Sequence, residues 1–420
     1  MKRSLSAFSI ILLLLSFVVC FASCSDSNAE TTPADSNTET TPAIQTSETT
    51  SKQEQPSVDT EYDIWDGVSA YGFGSGDGSF SKPYLIRNCA GLAYLAKQVQ
   101  NGFRYEGKHF RLEADLNLNN KAWTPIGTSA TPFMGIFDGN DHTISNVKIT
   151  SPVYDNSNAY AGLFGCCKNA TFSNLKIENV SIKFSPSKRC DFLFVGGLIG
   201  YGVSSDYFGI ENVKLSDVTI TVSQKYHDSD LRAGGCAGSI VVGKNSYFEG
   251  NGIQVFAEIA SIENSSSNYL GSVIGRIESQ NSVSLNNIAS YCSFECGFGV
   301  NYSGTVGGIV SSSSVVSMSN VFSKLSLERD MVHNDSRAGV AVGVFLRLTG
   351  SGISDNPSSY KLRNVFGSSV QTGGNQFQIV WGDPQNLTQT NCEVCTILPQ
   401  SNGFSRGIWD LSSMSQPVLK

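Results

Sequence analysis

The chain has 420 residues, of which 15% are charged and 41 are glycine, and its formal net charge is −7 at pH 7. Basic residues do not cluster in the sequence, which excludes the electrostatic footprint of a nucleic-acid-binding protein. Hydrophobic residues make up 40% of the chain, enough to bury a core. The composition therefore predicts a glycine-rich, weakly charged β-structure whose partners do not include nucleic acid.

The first 24 residues have the pattern of an export signal. Two basic residues precede a nearly unbroken apolar run of 16 residues, Ala7–Ala22, which is short for a membrane span and typical of a signal peptide. The run ends in Phe21-Ala22-Ser23-Cys24, which resembles the lipobox of bacterial lipoproteins. The resemblance implies cleavage before Cys24 and lipidation of that cysteine, so residues 1–23 are predicted to be a signal peptide. An ordinary secretory signal is the alternative.

Residues 24–60 are rich in Ser, Thr, Pro and Glu and contain almost no apolar side chain. Such a segment cannot bury enough surface to offset its ordering entropy, so we expect a disordered stalk. A stalk directly after a lipid anchor would hold a folded body, predicted to span residues 61–420, away from a membrane. The predicted location is the bacterial cell envelope, lipid-anchored and surface-exposed.

A pentamer of small and apolar residues recurs through residues 151–370. Its copies begin 32 to 38 residues apart, at Ala161, Gly196, Gly234, Gly271, Gly307 and Gly339. Each copy is followed by Val-, Ile- and Phe-rich runs with period-2 alternation, which is typical of strands. Short strands repeated at this period cannot bury a face alone and must stack. Each copy holds about two strand-like runs where a propeller blade needs four, so the pattern favours a parallel β-solenoid over a β-propeller.

An asparagine before an apolar residue accompanies the repeats. In stacked turns, equivalent asparagines can hydrogen-bond along the stack, which predicts a side-chain ladder. The predicted series opens at Asn146 and continues through Asn174, Asn212, Asn251, Asn287, Asn320 and Asn364.

The opening block, residues 75–150, carries the most specific motifs. They are Pro83–Ile86, Phe110–Leu112, Trp123–Gly127, Phe133–Gly139 and His142–Asn146. Together with the pentamers Ala161–Gly165 and Gly196–Gly200, these motifs resemble the GLUG-motif proteins of bacterial surfaces. The resemblance covers residues 75–420 and implies an all-β, right-handed parallel β-helix whose terminal coil is residues 371–420. It implies little about biochemical activity.

One helix is expected within the opening block. Leu92, Leu95, Ala96 and Val99 have helical spacing, which predicts an amphipathic helix over roughly Cys89–Gln100. A solenoid must cover its exposed first turn, so we expect this helix to cap the N-terminal end.

The cysteines and histidines do not predict a metal site or a cofactor. Four histidines are too few and too scattered, and His227 is placed in a polar loop. Cys392–Cys395 is a lone CxxC, for which a local disulfide or two stacked core thiols is favoured over zinc. The same interpretation applies to Cys292 and Cys296. Nine cysteines follow Cys24, an odd number, so buried free thiols are expected at Cys166, Cys190 and Cys236.

Parallel β-helices also include polysaccharide lyases and glycosidases, which need clustered acids on an exposed face. Asp115, Asp138 and Asp141 are the acids concentrated in the opening block. Asp138–Asp141 has the composition of a tight turn, and the repeats show no stacked carboxylate ladder. We therefore predict no catalytic residues.

Tyrosines beside the repeats are the remaining candidate site. We place them in loops, where their rings could stack on sugars or peptides, with ordinary packing as the alternative. These weak candidates are Tyr201, Tyr207, Tyr226, Tyr247 and Tyr269. The sequence thus predicts a non-enzymatic, lipid-anchored display or adhesion protein that binds extracellular glycans or proteins. The alternatives are a surface glycan-capture protein and a polysaccharide-cleaving enzyme.

Overall fold

Parallel strands stacked in two sheets, here called sheet A and sheet B, form a solenoid. The structure is a computed structural model that describes residues 63–155, 157–226, 228–295, 298–311, 314–328, 336–342, 345–347, 359–371, 378–380, 387–395 and 397–420. The predicted signal peptide, Cys24 and the stalk lie outside the described residues, as do His227 and Cys296. The predicted all-β parallel solenoid with one short helix is confirmed.

The strands follow the chain through an opening block, a series of long repeats and a final segment. Strand β1 (Asp63–Ile64) precedes the opening block, which comprises β2 (Tyr84–Ile86), α1 (Cys89–Gln100), β3 (His109–Leu112), β4 (Leu116–Asn117), β5 (Ile136–Asp138) and β6 (Thr143–Ile149). The repeats comprise β7 (Val153–Tyr154), β8 (Asn158–Ala161), β9 (Phe164–Lys168), β10 (Thr171–Phe184), β11 (Phe192–Gly196), β12 (Ile199–Ser204), β13 (Tyr207–Gln224), β14 (Asp230–Gly234), β15 (Ala237–Val242), β16 (Tyr247–Ser279), β17 (Ser282–Glu295), β18 (Phe298–Ser311), β19 (Val315–Glu328), β20 (Ser336–Val342), β21 (Phe345–Arg347) and β22 (Ser359–Gln371). The final segment comprises β23 (Gln378–Val380), β24 (Leu387–Val394), β25 (Trp409–Asp410) and β26 (Val418–Leu419).

Helix α1 has the predicted bounds and covers the first turn of the solenoid. It begins after Asn88, whose side-chain oxygen accepts a 2.8 Å hydrogen bond from the backbone N–H of Gly91, a typical N-cap. Leu92, Leu95 and Val99 are fully buried and belong to the same core cluster as the strands that follow. The helix therefore shields the apolar end of the stack from water.

Like residues stack on like residues along sheet A. Phe110 pairs with Phe137, and Phe137 pairs with Phe172 on the next strand. Farther along, Ile182 pairs with Ile220, and both are fully buried. Each such side chain contributes about 1.5–3 kcal/mol by leaving water. The period-2 alternation in the sequence decides which residues face this core.

The repeated pentamer forms a tight bend in sheet B. The strands before and after the bend are here called its first and second arms. The last glycine of the pentamer lies on the second arm, against the backbone of the first arm. A Cβ added at Gly238 would lie 2.4 Å from the backbone nitrogen of Val195, and one at Gly275 would lie 2.6 Å from that of Ala233. Larger side chains would force the two arms apart, which explains why the pentamer repeats small residues.

The asparagines form two ladders, whereas the sequence predicted one. In the longer ladder, Asn320 donates to Oδ1 of Asn287 at 3.1 Å and accepts from Asn364 at 2.8 Å. These asparagines have φ near +54°, a left-handed conformation that asparagine tolerates better than most residues. At one turn Gly252, with φ +68°, takes the ladder position between Asn212 and Asn287.

Two assignments in the predicted asparagine series are therefore wrong. Asn146 belongs to a shorter ladder, in which it donates to Asn117 at 2.8 Å and accepts from Asn179. Asn251 lies beside the longer ladder and accepts from Asn287 at 2.9 Å. A single turn can contain two asparagine corners of similar composition, as β10 does at Asn174 and Asn179. Only the strand register shows which ladder each asparagine joins.

The last residues depart from the predicted terminal coil. Strand β24 stacks on β22 as expected, but residues 397–420 lie on the outer face of sheet A. There Trp409 and Phe404 cover Phe366, while the hydroxyl of Tyr291 donates to the carbonyl of Pro417 at 2.6 Å. This segment covers an apolar stripe that the alternation places outside the core.

Candidate functional site

The acids of the opening block are held in turns. Oδ1 of Asp138 accepts the backbone N–H of Asn140 at 2.9 Å and the side chain of Asn174 at 3.0 Å. Oδ1 of Asp115 accepts the backbone N–H of Thr143 at 2.8 Å and lies 3.0 Å from Nδ1 of His142. These contacts support the turn interpretation, because each carboxylate accepts a backbone N–H at a corner of the chain. Asp141, with φ +62°, lies in the same turn as Asp138. Among the described residues no group of three or more His, Cys, Asp or Glu is placed to hold a metal ion.

The described cysteines divide into buried and half-buried thiols. Cys166, Cys190 and Cys236 are buried free thiols, as the sequence predicts, and burial raises the pKa of Cys236 to about 12. Cys392 and Cys395 are free and half-buried, so they form neither the expected disulfide nor a pair of core thiols. Burial also raises the pKa of both thiols, which makes them poor nucleophiles.

The five candidate tyrosines occupy three different environments. Tyr201 and Tyr269 lie in strands β12 and β16, on the outer side of the sheet B bend. Tyr207 and Tyr247 begin strands β13 and β16 and pair with each other on sheet A. Tyr226 is half-buried between strands β13 and β14. The expectation that all five lie in loops is therefore wrong for four of them, because their alternating runs continue as strands.

Tyr201 and Tyr269 belong to a closed outer seam along the bend. The seam consists of side chains that the two arms of the bend place against each other: Tyr160, Phe194, Tyr201, Arg232, Tyr269, Arg276 and Glu278. The ring centroids of Phe194 and Tyr201 lie 4.6 Å apart, and the Arg276 guanidinium lies 4.6 Å from the Tyr269 centroid. Tyr269 is only 5% exposed, so its ring offers no open face to a ligand.

A partly buried ion pair, in which the Glu278 side chain is 35% exposed, lies at the centre of the outer seam. Nη1 of Arg232, whose side chain is 5% exposed, lies 2.8 Å from Oε1 of Glu278, and Nη2 of Arg276 lies 3.3 Å from the same oxygen. Burial alone would raise the pKa of Glu278, but the two arginines hold it below its ordinary value. Glu278 is therefore ionised at neutral pH and joins two turns of the solenoid.

The Tyr207–Tyr247 pair, here called the tyrosine pair, lies open on sheet A. The two ring centroids are 4.8 Å apart, and Tyr247 is 49% exposed. A Cβ added at Gly209 would lie 2.5 Å from the Tyr207 hydroxyl, so glycine at this position lets the ring lie close to the strand. Two rings on consecutive rigid strands thus form one continuous aromatic surface.

Carboxylates surround the tyrosine pair. Burial raises the pKa of Tyr207, and Glu249, Tyr247 and Glu211 raise it further. Both glutamates are exposed, and strand pairing places Glu249 opposite Gly209 on the next turn. The surface therefore combines stacking area with hydrogen-bond acceptors, an arrangement that suits hydroxyl-rich ligands.

The structure also contains an aromatic cleft beside α1 that the sequence analysis did not single out. This opening cleft has a volume of about 620 Å³ and is lined by Tyr84, Gly102, Phe103, Arg104, Tyr105, Glu106 and Lys108. Sites for small molecules typically measure roughly 300–1,000 Å³. The only sequence signal was the density of aromatic and charged residues between α1 and β3.

A strained residue shapes the opening cleft. Tyr105 has φ +56°, which is unusual for a bulky side chain. Its ring packs 5.1 Å from that of Phe110, and the neighbouring backbone is fixed by a 2.8 Å bond from Met134 N–H to the Arg104 carbonyl. Phe103 is 58% exposed at the rim. Strain of this kind persists only where surrounding contacts hold it, and it is often found at binding sites.

Comparisons with known proteins give partial matches, and no protein-family profile matches the chain. A 152-residue stretch is 30% identical to a protein of Evansella cellulosilytica named "Putative Gly-rich membrane protein", covering 34% of this chain and 15% of that protein. A 118-residue stretch is 33% identical to halomucin of Haloquadratum walsbyi, covering 26% of this chain and 1% of that protein. The chain thus spans a small part of both relatives.

Among solved structures, the crystal structure of a "putative immunoglobulin A1 protease" from Bacteroides ovatus is similar. The two chains align with a TM-score of 0.51 at 17% identity, over 83% of this chain and 95% of that one. Such a likeness shows the β-solenoid fold alone. The part of the chain that the structure describes contains no helix long and apolar enough to cross a membrane. The resemblance to GLUG-motif proteins and the lipobox of Cys24 stay predictions.

Proposed function

We propose that this chain is a non-enzymatic binding protein of the cell envelope, anchored by lipid at Cys24 and displaying its solenoid to extracellular glycans. The observation that carries the proposal is the tyrosine pair, an exposed aromatic surface on a rigid sheet. Sugar rings present apolar faces that stack on such surfaces, while their hydroxyls donate to flanking carboxylates. Because Glu211 and Glu249 are the flanking groups, the favoured ligand is a neutral glycan.

Two further observations support the envelope part of the proposal. One relative is named as a membrane protein, although the chain covers only 15% of it. Cys24 follows small residues and an apolar run, and several acyl chains on one cysteine anchor a protein stably.

A glycan array probed with the purified chain tests the binding part. We expect neutral oligosaccharides to bind, and Tyr247→Ala to abolish that signal. Tyr71→Ala is the matched control, because Tyr71 is 94% exposed and lies between β1 and β2, away in sequence from the strands that carry the tyrosine pair. Absence of binding to any glycan, or equal loss with Tyr71→Ala, contradicts the proposal. If no glycan binds and basic peptides bind in a separate assay, the tyrosine pair is assigned to a protein ligand instead.

Metabolic labelling with palmitate tests the anchor. The wild-type chain should take up label, Cys24→Ser should not, and Cys20→Ser should label normally because Val19 is too large for the lipobox. Equal labelling of wild type and Cys24→Ser would remove the lipid from the proposal and leave the binding part untouched.

A further inference from the structure

We propose that the opening cleft is a second binding site, and that its ligand is a carboxylated sugar unit of an acidic polysaccharide. The site is separate from the tyrosine pair in sequence, since it is built by residues 84–108. The opening cleft and the tyrosine pair are proposed to bind ligands of different charge, so either proposal can fail without the other.

The position of the cleft follows from how α1 ends. Gln100 is the last helical residue, and Gly102 has φ +104°, which turns the chain back across the first strands. The loop that follows is bonded to Met134, whose carbonyl accepts the Gly107 N–H at 3.2 Å. Lys108 N–H in turn donates to the Tyr105 carbonyl at 3.0 Å. The cleft wall is thus preformed, which lowers the entropy cost of binding.

The apolar part of the cleft is a set of rings with one open face. Tyr84 and Tyr105 lie 6.0 Å apart between ring centroids and both pack on Phe110. Phe103 lies 6.4 Å from Tyr105 and remains 58% exposed. A pyranose ring could stack on Phe103 while its edge enters the space beside Tyr84.

The polar part of the cleft carries an excess of positive charge. Arg104 and Lys108 line the cleft together with Glu106. Nζ of Lys108 also donates to the Asp77 carbonyl at 3.3 Å, and the Asp77 carboxylate interacts with both Lys82 and Lys108. Counting these neighbours, three cations face two carboxylates. Nη2 of Arg104 donates to the Ala130 carbonyl at 2.8 Å, which fixes the side chain while other guanidinium N–H groups stay available. Planar guanidinium groups bind carboxylates by paired hydrogen bonds. In a chain of net charge −7, this local reversal selects an acidic sugar.

Binding of oligogalacturonate to the full chain, measured by titration calorimetry, tests the inference. We expect Phe103→Ala and Arg104→Gln each to weaken binding by roughly tenfold, since each removes about 1.4 kcal/mol of contact. Phe80→Ala and Arg87→Gln are matched controls, because both residues are exposed in the same block but do not line the cleft. Their affinities should equal that of the wild type.

The inference is overturned if oligogalacturonate does not bind, if a neutral oligosaccharide of the same length binds equally well, or if a sulfated oligosaccharide is preferred over the carboxylated one. Tyr247→Ala should retain full affinity for oligogalacturonate. If it loses that affinity, the acidic ligand belongs to the tyrosine pair and the cleft is not the site.

Discussion

Tyr247 and Tyr269 lie on the same strand, β16, yet the first is 49% exposed and the second 5%. Tyr269 lies on the outer side of the sheet B bend, where two arms approach each other and bury their outward side chains. Tyr247 lies on sheet A, where no such second arm faces it. Curvature of the sheet thus separates a structural tyrosine from one that a ligand can reach, and four predictions test this separation.

The largest effect is expected in the outer seam. Arg232→Ala removes a guanidinium that is 5% exposed and packs over the rings of Phe192 and Phe194. It also leaves Glu278, whose side chain is 35% exposed, with Arg276 as its remaining partner. The lost packing and charge pairing together should cost about 3–4 kcal/mol. Thermal unfolding followed by circular dichroism should show a large fall in Tm. Arg189→Ala is the matched control, because Arg189 and Asp228 form an exposed pair at 3.4 Å with side chains 60% and 74% exposed. Such pairs contribute about 0–1 kcal/mol. Equal shifts in the two variants would show that the seam is not structural.

A smaller effect is expected in the longer asparagine ladder. Asn320→Ala removes its side-chain bonds and places alanine at φ +54°, which together should cost about 2–3 kcal/mol. Asn320→Gly removes the same bonds but tolerates the backbone, so it should cost about 1 kcal/mol. Urea unfolding distinguishes them, and alanine no worse than glycine would contradict the left-handed corner.

The seam also predicts a dependence on pH. The folded pKa of Glu278 is lowered below its ordinary 4.5, so its ion pair stabilises the fold above that pH. The stabilisation is lost as the pH falls through the lowered folded value. In Tm measured from pH 7 to pH 3, Glu278→Gln should show a shallower acid decline than the wild type. Parallel curves would mean that other carboxylates carry the acid sensitivity.

Much of the fold could be predicted from sequence because its signals are local. Helix α1 is marked by spacing at Leu92, Leu95 and Val99, and stacking is marked by the recurring pentamer. The outer seam could not be predicted, because Phe194, Arg232 and Tyr269 become neighbours only through strand register. The opening cleft depends on the left-handed backbone of Tyr105, which residue type does not reveal.

The smallest effect on stability is expected at the tyrosine pair. Tyr247→Ala removes a half-exposed ring that borders Tyr207, so the free energy of unfolding should change by about 0.5 kcal/mol or less. Urea unfolding of this variant beside Tyr269→Ala checks the contrast directly. The buried ring of Tyr269 should cost about 3 kcal/mol, and similar costs at the two positions would remove the distinction between the sheets.

The most direct test of the account measures stability and glycan binding together in two variants. The Tyr207→Ala/Tyr247→Ala double variant should lose binding to the neutral glycan identified on the array while keeping a Tm close to that of the wild type. Arg232→Ala should keep that binding at temperatures below its lowered Tm. Retained binding in the double variant, or lost binding in folded Arg232→Ala, would contradict the assignment of recognition to the tyrosine pair and of support to the outer seam.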